Sequence, residues 1–320
     1  SASGTSSIRN VFLDEKRERR TTTALAQGSQ ITAAEIPDDV QAKVFHLAGL
    51  MNGDYENAII PMLAKRGKVA LDMQCYLRTP DRVSGEMVYG DWPYKKEFFP
   101  YITYLKTDAA EAEILTGTSD RREAARLMVE VADKYRGNNN FEYDLVDIVR
   151  QSLSDKGRIV YNRTIADFKS FDKRSFARDS RKFLDILLLQ DKLLGTRSEF
   201  RVGRWIEQAR NLGTTPEEKD LYEWNARVQI TTWGNRVCAD DGGLRDYAHK
   251  EWNGILRDFY YKRWAAYWQT LQDQLDGKPE VKLDYYAMEE PWTLAKNPYS
   301  SVPEGSCVDV AKEVFEKAMR

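Results

Sequence analysis

The sequence predicts an α/β segment followed by an all-α helical domain. Up to about residue 117, apolar and β-branched runs of strand length alternate with helical patterns. Strand and helix in turn at that spacing imply parallel βαβ units. From about residue 119 onward, apolar residues recur three and four positions apart, the period of a helix. Seven of the eight tryptophans lie after residue 200, so the aromatic core material is concentrated in the helical part. A length of 320 residues suits two domains, each large enough for its own core.

The strand candidates come first. "IRNVFL" (8–13) and "RTTTAL" (20–25) are rich in β-branched and large apolar residues, and the charged "DEKRERR" between them suits a hairpin. "AKVFHLAG" (42–49) has the length of a buried strand, with His46 packed in it. "DYENAIIPMLAKRG" reads as a helix ending at Gly67 despite Pro61. "KVALDMQ" (68–74) and "YITYLKT" (101–107) read as the second and third buried strands, and "DAAEAEILTG" opens another helix.

The helical part is equally readable. Leu145, Ile148, Val149 and Leu153 lie on one face, and "FLDILLLQDKLL" (183–194) repeats the pattern. Thr215, Pro216 and Glu218 form an N-terminal signature of cap, first-turn proline and capping-box acid. "LRDYAHKEWNGILRDFYYKRWAAYWQTLQDQL" predicts one long helix ending before Gly277, with Trp252, Tyr260, Trp264, Tyr267 and Trp268 as its core face. "SCVDVAKEVFEKAMR" closes the chain as an amphipathic helix.

Composition excludes more than it names. A formal net charge of -2 points to neither nucleic acid nor an anionic membrane. No apolar run is long enough for a membrane span, and no signal-peptide pattern opens the chain. Cys75, Cys238 and Cys307 define no disulfide framework, and two histidines make a zinc site of ordinary spacing unexpected. Asp240 and Asp241 in "CADDGG" read as a solvated loop rather than a metal site.

"VFHLAGLMNGDYENAI", "KVALDMQCYLR" and "YITYLKTDAAEAEILTG" resemble the middle of ribokinase-like (PfkB) carbohydrate kinases, over residues 5–128. That resemblance makes the first segment (1–128) a truncated, partial Rossmann-like α/β fold. It implies ATP and Mg²⁺, with Asp108 and Glu111 standing where the family's Asn-x-x-Glu element organises magnesium and its waters. Asp108 departs from that pattern, which has Asn there. Asp72 falls at a strand end where these kinases carry substrate-side groups. The sequence has no match for the family's glycine-rich sugar-binding region or its Gly-Ala-Gly-Asp anion hole and base, so no kinase turnover is expected. The bland alternative is a helix start: Asp108 as cap, Glu111 complementing the dipole.

"NFEYDLVDIVRQ", "FRVGRWIEQARNLG", "LYEWNARVQITTWG" and "LRDYAHKEWNGILRDFYYKRWAAYW" resemble the C-terminal helical domain of alpha-N-acetylglucosaminidases, over residues 129–320. These glycosidases remove terminal alpha-linked N-acetylglucosamine. The resemblance implies no cofactor, a catalytic glutamate pair on a barrel domain missing from this chain, and a helical wall that completes the sugar pocket. The family's wall motif maps onto Trp233 and Gly234, then Leu244, Asp246 and Tyr247. The substrate-binding candidates are therefore Trp233, Leu244 and Tyr247, and the partner is an N-acetylglucosamine-containing glycan. The alternative for Trp233 is a core residue.

The combined reading is a glycosidase pocket-wall domain joined near residues 128–129 to a truncated kinase segment. A carbohydrate kinase and a non-catalytic fusion are its competitors. A glycosidase would be exported, periplasmic or lysosomal, a kinase cytoplasmic.

Overall fold

The computed structural model describes residues 4–13, 20–296 and 298–319, and the chain divides into two compact units, residues 1–119 and 120–320. The division falls nine residues ahead of the 128–129 join read from the sequence.

The first unit opens with an antiparallel hairpin of β1 (Ser7–Phe12) and β2 (Arg20–Ala26). Then come β3 (Val44–Leu47), α1 (Ile59–Ala64), β4 (Lys68–Asp72) and α2 (Gln74–Leu77). A second hairpin, β5 (Arg78–Pro80) with β6 (Met87–Tyr89), was not foreseen. It is followed by α3 (Lys95–Phe98), β7 (Tyr104–Lys106) and α4 (Ala109–Thr116). The strands β3, β4 and β7 form a three-stranded parallel sheet in that order, as the βαβ spacing predicts. Pro61 is tolerated because it occupies the first turn of α1, where its missing N–H would have no helical partner.

Only the central strand is well covered. Val69, Leu71 and Asp72 of β4 are buried with Ile59, Ile60 and Leu63 of α1. On the edge strand β3 only Leu47 is buried, and His46 is exposed rather than packed; the other edge strand, β7, is exposed along its length rather than buried. A three-stranded sheet leaves both outer strands with one unpaired edge, so apolar content alone overstated the burial of β3.

Among the described residues, the regular elements of the second unit are helices: α5 (Arg121–Val131), α6 (Asn139–Lys169), α7 (Lys173–Leu194), α8 (Val202–Asn211) and α9 (Pro216–Gln229). Then follow α10 (Tyr261–Leu275), α11 (Tyr285–Leu294) and α12 (Cys307–Met319). Thr215 caps α9 by accepting from the Glu218 N–H, with Pro216 at the first position, as predicted. The main core joins Leu145, Val149 and Leu153 of α6 to Phe176 and Ile186 of α7, Trp268 of α10 and Val308 and Val314 of α12. A second cluster gathers Val202, Ile206, Ile230, Ile255, Phe259 and Trp292.

The single long helix predicted over 244–275 is broken. Residues 245–248 form a turn, Leu256–Tyr260 is a π-helical turn, and regular helix starts only at Tyr261. The break has a cause. Gly254 has φ of 92°. A Cβ there would lie 2.8 Å from Val202 and 2.9 Å from Tyr299. Trp252 is therefore off the helix and packs on Trp205, with ring centroids 6.1 Å apart, yet it still packs against the main core, as Trp264, Tyr267 and Trp268 do.

No described helix is long and apolar enough to cross a membrane, and among the described residues no group of three metal-capable side chains converges. All three cysteines are free.

Candidate functional site

The residues that the sequence singled out between 233 and 247 meet in one loop system at the end of α9. After Gln229 the chain makes a tight turn in which the Trp233 N–H donates to the Val228 carbonyl at 2.8 Å. Trp233 has φ of 63°, the left-handed region that few non-glycine residues adopt. A π-helical turn follows at Val237–Asp241, and the Leu244 N–H donates to the Cys238 carbonyl at 3.2 Å. Asp246 is again left-handed, with φ of 61°, and its N–H donates back to the Thr231 carbonyl at 2.8 Å. The loop is thereby closed onto its own start.

This closure brings Trp233 and Tyr247 together, ring centroids 5.0 Å apart in an edge-on arrangement. Tyr247 is 71% exposed and Trp233 only half-buried, so the pair presents aromatic surface to solvent. Trp233 is therefore not in any of the buried core clusters. Leu244, partly buried, lies in the turn just before Tyr247, and its carbonyl accepts from the Tyr247 N–H at 3.1 Å. Strained backbone held by surrounding bonds is a recurrent feature of functional loops.

Behind the pair lies a charged network. The Asp246 carboxylate accepts from the Tyr260 hydroxyl at 3.0 Å and from both terminal nitrogens of Arg263. Arg263 is itself stacked against the rings of Phe259 and Tyr260, at 5.0 and 5.1 Å. Its Nε lies 2.5 Å from Glu289, whose other carboxylate oxygen is 3.0 Å from Nε of Arg245. Arg245 also pairs with Asp240. Burial pushes the Glu289 carboxyl up, against the downward pull of Arg263 and Arg245. Burial likewise raises the Tyr260 hydroxyl, with Asp246 adding to it.

Asp240 is thus an ion-pair partner rather than a purely solvated loop residue. Tyr260, read from the sequence as packing material, has a polar partner at the loop. Arg263 and Glu289 were not anticipated; no local pattern marks them, because their partners come from distant parts of the chain.

The residues on the kinase-like side are differently employed. Asp108 caps α4 and Glu111 completes a capping box, the Glu111 N–H donating to Asp108 at 2.8 Å and the Asp108 N–H to Glu111 at 3.0 Å. The remaining Glu111 oxygen accepts from Arg78 at 3.0 Å, and the residue is buried. The helix-start alternative thus describes what both side chains do here. Asp72 is buried and accepts from Lys106 at 2.6 Å.

Elsewhere in the second unit a cavity of about 220 Å³ opens between α6, α7 and α10, lined by Leu153, Phe183, Ile186 and Trp264. Glu251 sits at its polar side, accepting from Arg150 at 2.6 Å and Gln190 at 2.9 Å.

Comparison with known proteins finds the helical unit similar to part of solved glycoside hydrolases. It is similar to the family 89 glycoside hydrolase from Clostridium perfringens, solved in complex with PUGNAc, at TM-score 0.59 and 32% identity over 67% of this chain and 24% of that one. The family model described as alpha-N-acetylglucosaminidase (NAGLU) C-terminal domain matches residues 92–317, and the chain belongs to that family. Human alpha-N-acetylglucosaminidase is 32% identical over 205 residues, 62% of this chain and 27% of the human protein. The chain thus spans about a quarter of the length of these relatives. The match begins at residue 92, well ahead of residue 129, so part of the stretch read as kinase-like lies inside it. A pyrophosphate-dependent kinase in the ribokinase family reaches only TM-score 0.35 over 39% of this chain, at 28% identity, a likeness too slight to argue from.

Proposed function

We propose that the helical unit is one wall of a pocket for terminal alpha-linked N-acetylglucosamine, with Trp233, Leu244 and Tyr247 on the sugar side. The observation that carries this reading is the exposed Trp233–Tyr247 pair on a loop locked by two left-handed residues. An indole face covers the apolar C–H face of a pyranose, and a phenol hydroxyl hydrogen-bonds a sugar oxygen. A relative from Clostridium perfringens binds GlcNAc-alpha-1,4-galactose as its substrate, which fits the same chemistry.

The hydrolytic step belongs to a barrel domain supplied outside this chain. Retaining hydrolysis needs two carboxyl groups about 5 Å apart, one as nucleophile and one as acid and base. Asp246, the carboxylate nearest the pair in sequence, has its oxygens committed to Tyr260 and Arg263 and faces inward. No cofactor enters this scheme. The kinase alternative has less support, since Glu111 is buried and already paired.

Trp233 should act by packing on the sugar, a contribution made in the ground and transition states alike. In an enzyme where a catalytic barrel precedes this unit, Trp233→Ala should raise KM about tenfold, ~1.4 kcal/mol, with kcat changed far less. Steady-state kinetics on an aryl alpha-N-acetylglucosaminide decide it. An unchanged KM would reduce Trp233 to a packing residue. Release of the aryl group by the present chain alone would remove the need for a barrel.

A further inference from the structure

Glu289 stands out because its burial lacks an obvious reward in stability. It is 3% exposed on α11. Its two oxygens meet Arg263 and Arg245, each through Nε. A buried carboxylate held in that way recovers its lost hydration poorly and is weak as a stabilising element. What it does achieve is geometric. Arg263 is bound on one edge by Glu289 and turned so that its two terminal nitrogens reach Asp246. The guanidinium is planar and forked, so fixing Nε fixes the direction of the other two nitrogens.

We propose that Glu289 is a positioning residue for the sugar wall: acting through Arg263, it holds Asp246 in its left-handed conformation and so sets Tyr247 against Trp233. The inference rests on the sugar-wall reading for its functional meaning, though not for its geometry. The chain of contacts is complete. Glu289 orients Arg263, and Arg263 with the Tyr260 hydroxyl engages the Asp246 carboxylate. The Asp246 backbone is pinned to Thr231, two residues before Trp233, and Tyr247 follows directly after Asp246. Arg245 forms a second arm: it joins Glu289 to Asp240 in the π-helical turn and lies over the Tyr285 ring at 5.4 Å. The middle of the loop, at Asp240, and its far end, at Asp246, thus both refer to one buried carboxylate.

A left-handed aspartate has a local backbone preference for another conformation. If the carboxylate loses its Arg263 fork, that preference is no longer opposed and Tyr247 departs from the Trp233 edge. Glu289→Gln keeps the shape of the side chain and removes the charge that orients both guanidinium groups. Arg263→Lys keeps a positive charge beside Glu289 but has no fork to offer Asp246. The two variants perturb the same relay from opposite ends, and either suffices should the other fail to fold.

The decisive measurement needs no substrate. Tryptophan emission of the full chain is recorded for the parent, Glu289→Gln and Arg263→Lys, each also in a Trp233→Phe background, with far-ultraviolet circular dichroism to show that each is folded. The relay requires both variants to change the emission and the change to vanish when Trp233 is absent. Unchanged emission in a folded variant, or a change that persists without Trp233, overturns the inference, because a general loosening of the core would report through the other tryptophans. In the barrel-bearing enzyme, Glu289→Gln should raise KM about tenfold while kcat stays within about threefold. A Trp233-dependent emission change with unaltered KM would uphold the positioning of the pair and instead defeat its assignment to a sugar pocket.

Discussion

Asp191→Ala should be among the most destabilising substitutions in the helical unit, lowering its unfolding free energy by about 3–5 kcal/mol. Asp191 lies buried near the end of α7 and organises the break between Trp252 and Arg257. One carboxylate oxygen accepts from the Gly254 N–H at 2.6 Å and the Arg257 N–H at 3.2 Å; the other accepts from the Asn253 amide at 2.9 Å. Alanine would leave those donors facing a protein interior without acceptors. The damage should spread toward the loop between Trp233 and Tyr247, because the π-helical turn beginning at Leu256 ends on Tyr260, a partner of Asp246. Burial raises the Asp191 carboxyl above its ordinary value despite the Gly254 bond. The folded state therefore binds this proton more tightly than the unfolded chain does. Its pH-linked contribution is full below about pH 4 and falls as pH rises through the folded value. The gap between the parent and Asp191→Ala, measured by chemical denaturation, should accordingly be wider at pH 4 than at pH 7. Equal midpoints for the two proteins would show that the three bonds are dispensable.

Gly203→Ala should cost about 3 kcal/mol, although alanine is normally the better helix residue by about 1 kcal/mol. Gly203 lies in α8 where the chain around Tyr299 and Ser300 crosses it. An added Cβ would fall 2.3 Å from the Ser300 carbonyl oxygen and 2.6 Å from that of Tyr299. Those are backbone atoms and cannot swing aside as a side chain would. Nor can the crossing segment lift freely. Arg201 donates to the Ser300 carbonyl at 2.8 Å and pairs with Glu304 at 2.7 Å. Displacing Tyr299 would also strip its hydroxyl from Asp258, at 2.9 Å, and the Trp292 ring N–H from that hydroxyl, at 3.0 Å. A thermal scan of the variant should show an earlier transition; a melting temperature equal to the parent's would mean that the crossing relaxes without loss.

The parts of the fold that were legible share one property: their signals are local. Thr215, Pro216 and Glu218 announce α9 because capping involves residues three apart. The parallel pairing of β3, β4 and β7 follows from strand and helix spacing. His46 was misread because an apolar run does not reveal whether a strand is central or at an edge. The long helix over 244–275 was misread because its periodicity is sound on either side of Gly254, while the reason for the break lies on Asp191, Val202 and Tyr299. For the candidate site, Trp233 and Tyr247 were found through family resemblance. Arg263 and Glu289 were beyond reach, since an ion pair between separate helices leaves no pattern in either.

Trp233 stands where two selective pressures disagree. Its backbone is left-handed, a conformation natural to glycine and uncomfortable for a large aromatic residue by about 1–3 kcal/mol. If the ring were not wanted, the most favourable residue there would have no side chain. Trp233→Gly should therefore melt at a higher temperature than Trp233→Ala, since both lose the Tyr247 contact and only glycine is relieved of the strain. If alanine proved at least as stable, the strain would be negligible. A library screened for thermal resistance alone would thus be drawn toward glycine at position 233 and would discard the indole; on the proposed sugar-wall reading, one screened for sugar turnover would keep it.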